Sequence, residues 1–537
     1  GLIGRTLESA PCMASGCLRH TDLPHTSRLF ADFVYHFDRV SRFYAHNPLD
    51  FHSFERAAAH IDFPADRRRA LVAALQAQNG PSAELARLAE PGTVTVVTGQ
   101  QVGLFSGPCY TIYKALTAAK LAATLTERGI PAVAVFWLAT EDHDFAEVNH
   151  AFTLSAGHQL VRHEVSSPAV DHTPVGDLTI PGYPVEELAA ELDGLPYAAD
   201  VIEAVRASYQ PGATLGQAFR ALLQRLLGGY PLLYLDPLHP AIRQIAAPLL
   251  SRAVEHSAAM SERLLARNAE LVEAGYHAQV HFEPKTSLFF LLQDGRRLSL
   301  HRDGDDYLLG DTRLTPAQLA AQGASLSPNA LLRPVMQDYL LPTVAQVGGP
   351  AELAYLAQSE VLYDVLGRPA PVIVPRSGFT LIDSRAAKLL RRYSLSVKDC
   401  LDSLDGLSAH IAQRLVPAGL ARSLANSREM TAALFDRLVH EVAAFDETLG
   451  AAAAKSRAKV LYQIGKIEAK TARQALRHND RAATEAAYLF HALYPEKHLQ
   501  ERLYTILPFL ARHGLDLTQR LYQETHIDCP DHIVVEV

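Results

Sequence analysis

The 537-residue sequence is poor in cysteine: five in all (Cys12, Cys17, Cys109, Cys400, Cys529), with no CxxC pair. An odd and scattered set supports neither a disulfide framework nor a thiolate zinc site, and it fits a reducing cytoplasm. Basic surplus is also lacking. The formal charge is -8, so no nucleic-acid partner is expected. No apolar run reaches the roughly 18 residues that span a bilayer, and residues 1–20 do not show the basic-then-apolar order of a signal peptide. No membrane partner is expected either. Tandem repeats and low-complexity tracts are missing apart from alanine-rich helix. Residues 1–12, ahead of Met13, read as an upstream extension outside the fold.

What is present is ample apolar content, 48% against 20% charged, the balance of a soluble globular protein. The length suggests about three domains, or one core with large insertions. Four short apolar runs read as strands covered on both faces: TVTVV (93–97), AVAVFWLA (132–139), PLLYLD (231–236) and PVIVP (371–375). YTIYKALTAAKLAATLTERG (110–129) reads as a helix stopped by Gly129 and Pro131. Strand, helix and strand at this spacing predict an α/β class chain with an open parallel sheet core. Residues about 151–228, with an acidic helical piece VEELAAELDG, read as an insertion. Residues about 277–325 read as a second, a β-meander of HAQVHF, SLFFLLQDGRRLSL and HRDGDDYLLG.

After Pro375 the texture turns helical. Phe435, Leu438, Val442, Phe445 and Leu449 step by three and four, and Val460, Ile464 and Ile467 continue the pattern. That is a coiled-coil seam or, nearly as well, a plain amphipathic helix; an arm of this kind suits a homodimer. The expected division is a core over 13–385, a helical coiled-coil domain over 386–495, and a segment over 496–537 that returns to the core.

Three constellations at strand ends carry chemistry. TGQQVGLFSGPCYTIYK (98–114) offers Thr98, Gly99, Gln100, Gln101, Gly103, Gly107, Tyr110 and Lys114, with the glycines spaced GxxxGxxxG. It has neither the P-loop ending nor GxGxxG, so what remains is either an anion-attracting loop before a helix or a tight structural turn. FWLATEDHDFAEVNH (136–150) delivers Glu141, Asp142, His143, Asp144, Asn149 and His150 directly after a strand. Carboxylates and imidazole there could grip an ammonium, hold a metal or act as base, but EDHD points its side chains in different directions and argues against zinc. LSPNALLRPVMQDYLLPTVAQVGGPAELAY (326–355) places Arg333, Gln337 and Asp338 among apolar residues. A buried Arg needs an anionic partner, and Asp338 would serve as a structural one. A fourth group, Arg376, Ser377, Ser384, Arg385, Lys497, Gln500 and Arg502, offers a nucleotide site at a helix start, or surface caps and ion pairs.

Together with LPHTSRLFADFVYHFDRVSRFY, these motifs resemble the BshC family of bacillithiol biosynthesis, and the resemblance runs from about Leu23 to LQERLYTILPFLARHGLD near the C-terminus. It implies a Rossmann-like core with connecting insertions and a helical coiled-coil domain that pairs two copies. The implied reaction joins the carboxyl of L-cysteine to the amine of glucosaminyl malate, giving bacillithiol. Because a carboxylate and an ammonium do not condense in water, ATP is the expected activating cosubstrate, with ADP or AMP released and Mg accompanying it. On this reading Gly99–Gln101 and the turn through Gly107 stabilise the anion, helped by Lys114 or Arg333, while Asp142 or His143 is the base. Glu141 or Asp144 would hold the cysteine ammonium. The HIGH and KMSKS signatures of related synthetases are not present, so their ATP-binding residues do not carry over. Two other readings are nucleotidyl transfer to another small acceptor, and a non-catalytic coiled-coil scaffold that senses a metabolite.

Overall fold

The computed structural model describes residues 16–166 and 171–537. The upstream extension, Cys12 and residues 167–170 of the first insertion lie outside the described residues. The core begins at β1 (Val94–Gln101), whose first five residues are buried and whose last three open outward. After a short turn comes α1 (Tyr110–Glu127), stopped where Gly129 takes φ +90°, a conformation that favours glycine. Next are β2 (Ala132–Ala139), a hairpin of β3 (His150–Leu154) and β4 (Leu160–Glu164), then β5 (Leu232–Leu235) and α2 (Pro240–Glu255). A second antiparallel element holds β6 (Thr286–Gln293) and β7 (Arg296–Asp303). The chain then makes α3 (Arg333–Leu340), β8 (Thr343–Gly348), α4 (Pro350–Val365) and β9 (Val372–Pro375).

The five core strands run in the order β9-β8-β1-β2-β5, all parallel. The chain winds outward from β1 in one direction and then returns to the other side of β1. This is the doubly wound order, in which ligands sit beyond the carboxyl ends where the winding reverses. Alternate residues face opposite layers: Val97, Val133 and Val135 pack with Ile242 of α2 and Val335 of α3, while Val96 and Ala134 pack with Leu121 and Leu125 of α1. Cover on both faces explains why the runs read as continuously apolar.

Three expectations change. HAQVHF is not a strand: both backbone groups of Val280 bond the Gln358 amide on α4, the N–H to Oε1 at 2.9 Å and the carbonyl from Nε2 at 2.9 Å. The side chain of Gln358 replaces a strand neighbour. Second, TVAQVG forms the strand β8 beside β1, which the reading of its apolar runs left out because Gln346 interrupts the run. Third, the seam is not one continuous helix. It breaks at Asp446 into α5 (Ala418–Phe445) and α6 (Glu447–Arg477), where the Asp446 carboxylate accepts from Leu449 N at 2.9 Å as an N-cap. The two helices fold back antiparallel, with Arg428 on Glu468 at 2.8 Å and Arg457 on Asp436 at 2.7 Å.

Two compact units result. One runs through Thr380 and resumes over Glu501–Val535; the other is Leu381–Gln500 with Glu536–Val537. No helix among the described residues is long and apolar enough to cross a membrane.

Candidate active site

A cavity of about 780 Å³ opens in the first unit at the carboxyl ends of β1, β2 and β8. Its floor includes Gly99, Trp137 and Gln346. A Cβ on Gly99 would stand 2.8 Å from the Trp137 carbonyl oxygen, so only glycine lets β1 and β2 lie this close here. Trp137 Nε1 and Gln346 Oε1 are buried and have no protein partner. Orphaned polar atoms are uncommon in native interiors and mark a place where a ligand or ordered water bonds.

On the β2 side stand Glu141, Asp142, His143, Asp144 and Glu147. The Asp142 Oδ2 accepts from Gln101 Nε2 at 2.9 Å, and its Oδ1 accepts from the backbone N–H groups of His143 at 2.7 Å and Asp144 at 3.3 Å. Burial pushes its carboxyl up, but Gln101, Arg297 and the two amides outweigh that and hold it below the ordinary carboxylate range. Arg297 arrives from β7, its guanidinium 3.8 Å over the Phe290 ring, 3.7 Å from Asp142 and 3.4 Å from His143 Nδ1. Burial first, and then Arg297, hold His143 below its ordinary value, so the ring is neutral at pH 7. Since Arg only donates, the nitrogen facing it is the acceptor and the ring proton sits on Nε2. Glu141 is joined to the buried Arg243. Asp144 caps the next short helix, accepting from Ala146 N at 3.1 Å.

Across β1 stand Lys114, Arg333, Gln337, Glu352, Tyr355, Arg376 and Arg502. Lys114 donates to Gly99 O and to Gln100 Oε1, each at 2.9 Å, and pairs with Glu352 at 2.5 Å. Burial lowers its pKa, and Glu352 offsets only part of that. Arg376 makes a two-pronged pair with Glu501 at 2.7 and 2.9 Å.

Several expected residues lie elsewhere. Thr98 ties β1 to β8 through the Val347 carbonyl at 2.9 Å. Gly103 and Gly107 pack against each other, and the amides of their turn are already bonded within the fold: Gly103 to Gln101 O, Gly107 to Leu104 O, Ser106 to Tyr209 Oη and Cys109 to Tyr504 O. These four amides are engaged in holding the turn. Asn149 and His150 bond each other at 2.9 Å on the β3–β4 hairpin. Ser377 bonds Thr117 Oγ1 and His526 O. Ser384, Arg385, Lys497 and Gln500 belong to the second unit, where Arg385 lies 4.1 Å over the Tyr488 ring and the Gln500 amide bonds Leu381 and Ala492.

Asp338 is also off the cavity and does not pair with Arg333. It accepts from Tyr363 at 2.5 Å and from Gln337 at 3.1 Å, and burial pushes its carboxyl up to about 6. An unfolded Asp titrates near 3.9. Between about pH 4 and pH 6 the folded chain therefore holds the extra proton, so stability is full below that window and declines as pH rises through it. The expected loss across the whole window is on the order of 3 kcal/mol. Urea midpoints at pH 4.5 and pH 7 should differ less in Asp338→Asn than in the wild type; an unchanged difference would assign the slope to other groups.

Among the described residues no three His, Cys, Asp or Glu side chains converge as a metal site. A doubly wound sheet with a polar cavity at its switch point defines a Rossmann-like α/β enzyme. Comparison places it further. The family described as "Bacillithiol biosynthesis BshC, N-terminal Rossmann-like domain" matches residues 17–377, and "Bacillithiol biosynthesis BshC, C-terminal coiled-coil domain" matches 379–537. Relatives named "Putative cysteine ligase BshC" include those of Solibacter usitatus, 51% identical over 97% of this chain and 99% of that protein, and Koribacter versatilis, 37% identical over 98% and 100%. A third, from Salinibacter ruber, is 34% identical over 95% and 96%. The chain belongs to the BshC family.

Proposed function

We propose that this chain is a cysteine ligase of bacillithiol biosynthesis, forming an amide between the carboxyl of L-cysteine and the amine of glucosaminyl malate. The observation that carries the reading is the cavity itself, with carboxylates after β2 facing cations on α1, α3 and beyond β9. Such a cavity can hold molecules that carry both an amine and an acid.

The cysteine carboxyl must first be activated, and ATP with Mg is the cosubstrate we assign to that step. In the turn through Gly107 the amides of Gly103, Ser106, Gly107 and Cys109 are already bonded within the fold. The chain's own residues act on the amine. It arrives as an ammonium paired with Asp142 and gives one proton to water, and the neutral nitrogen attacks the activated acyl carbon. In the adduct the nitrogen carries positive charge and its second proton is acidic; that proton passes to Asp142 as the bond from the carbon to its leaving oxygen breaks, the leaving group keeping the electron pair. The His143 Nε2–H hydrogen-bonds the oxygen that gains charge and keeps its proton throughout.

Mass spectrometry of the purified protein with L-cysteine and glucosaminyl malate, with and without ATP-Mg, tests this. A thiol-bearing amide formed only with ATP is expected, and AMP or ADP release identifies the activated species. A nucleotide-linked acceptor would instead support nucleotidyl transfer, and ligand binding without turnover would support a metabolite sensor. We also propose a homodimer through the α5–α6 hairpin, where Met430 is 74% and Phe445 86% exposed. Light scattering should give twice the chain mass.

A further inference from the structure

The cations across β1 are not all neutralised. Arg333 on α3 donates to Gln337 Oε1 at 2.9 Å and to the Tyr355 hydroxyl at 3.0 Å, both uncharged partners. Glu352 and Asp338 favour its charge through space, but neither hydrogen-bonds it, so the guanidinium is without a direct anionic partner. Arg376 has its two terminal nitrogens on Glu501, yet its Nε has no partner, although the side chain is only 5% exposed. That Nε lies 3.5 Å from where a Cβ of Gly349 would be, at the start of the 16-residue helix α4. Glu352 already caps this helix start by accepting from Gly349 N at 2.8 Å, and the unsatisfied buried donor of Arg376 stands beside it.

Charge is distributed unevenly on the two sides of β1. Lys114, Arg333, Arg376 and Arg502 are accompanied by Glu352 and Glu501, so this side has more cations than anions. Beyond β2, Glu141, Asp142, Asp144 and Glu147 are accompanied by Arg243 and Arg297, and anions prevail. Opposite excesses at two ends of one cavity orient a molecule that is itself bipolar.

We propose that Arg333, with Arg376 Nε and the start of α4, forms a subsite for the two carboxylates at the malyl end of the acceptor, which turns its amine toward Asp142. This deepens the ligase reading and rests on it for the role of the amine. Planar guanidinium forks match carboxylates, and two of them placed near one helix start suit a pair of carboxylates.

The probes are L-malate, its diamide and inorganic phosphate, titrated calorimetrically into the full chain as wild type, Arg333→Gln and Arg333→Lys, with thermal melting as a check on folding. L-Malate is expected to bind the wild type and the diamide not to bind. Arg333→Gln should weaken malate at least tenfold, Arg333→Lys less. In turnover, Arg333→Gln should raise KM for glucosaminyl malate by a similar factor and leave KM for cysteine within twofold. Equal malate affinity in wild type and Arg333→Gln overturns the subsite even if product forms. Tighter Arg333-dependent binding of phosphate reassigns it to a phosphate group, and a rise in KM for cysteine alone reassigns it to the cysteine carboxylate. Arg333-dependent malate binding without any turnover would leave the subsite standing while the ligase reading fell.

Discussion

Asp142→Asn should lower the rate of amide formation by about 10²- to 10⁴-fold, the range for loss of a positioned proton acceptor. The carboxylate is held in place by three hydrogen-bond donors, Gln101 at the end of β1 and the two amides of His143 and Asp144, and by the charge of Arg297 from β7 at 3.7 Å. Asn keeps the shape but cannot take a proton, and it no longer attracts an ammonium, so kcat should fall while KM for the amine rises. The loss should be much the same from pH 7 to pH 8, because a carboxyl held below its ordinary range is ionised throughout. The measurement is initial rate by product mass with a matched melting curve. More than half the wild-type rate in Asp142→Asn would move the proton to another acceptor. His143→Ala is the companion variant: full activity would remove the imidazole from the chemistry.

Glu501→Ala should strongly destabilise the first unit. Glu501 is buried, pairs with both terminal nitrogens of Arg376 and also accepts from Phe379 N at 3.0 Å. Burial pushes its carboxyl up, but Arg376 outweighs that and keeps it ionised. Removing it leaves a buried guanidinium without its counter-ion, holding only the Ser377 carbonyl at 3.1 Å, and the Phe379 N–H without a partner. The expected cost is about 3–5 kcal/mol, read as a drop in the urea midpoint at unchanged slope. The double variant Glu501→Leu with Arg376→Met should recover much of the loss, since two apolar groups leave no stranded charge. A single variant within about 1 kcal/mol of wild type would mean that water reaches Arg376 and solvates it.

Four of the five core strands were legible because both-sided burial leaves a mark on sequence, an apolar run of fixed length. β8 was not, since Gln346 faces the cavity floor and breaks its run. That same interruption was the available signal: a lone amide inside a buried strand points to a site. Of the glycines of residues 99–107, Gly99 lies in the cavity floor while Gly103 and Gly107 pack against each other, a difference that spacing does not reveal. Phe105 and Ser106 adopt φ of +53° and +72° without being glycine, a strain that composition hides. Arg297 was out of reach, since it meets His143 across 154 residues and only the tertiary fold joins them. The break at Asp446 could have been seen, because Asp three residues before Leu449 is an ordinary helix start.

The discontinuous first unit has a bearing on how the chain is made. Residues up to Thr380 emerge from the ribosome before Glu501–Val535, and the second unit lies between them in the sequence. Arg376 therefore waits for its carboxylate through the synthesis of more than a hundred residues, during which the helical unit can complete its own fold. Vectorial synthesis makes the first-started unit the last to close. Chains interrupted within that interval have all five core strands but not the segment Glu501–Val535 that completes the unit, and should be handled by chaperones or proteases and not accumulate as a shortened enzyme.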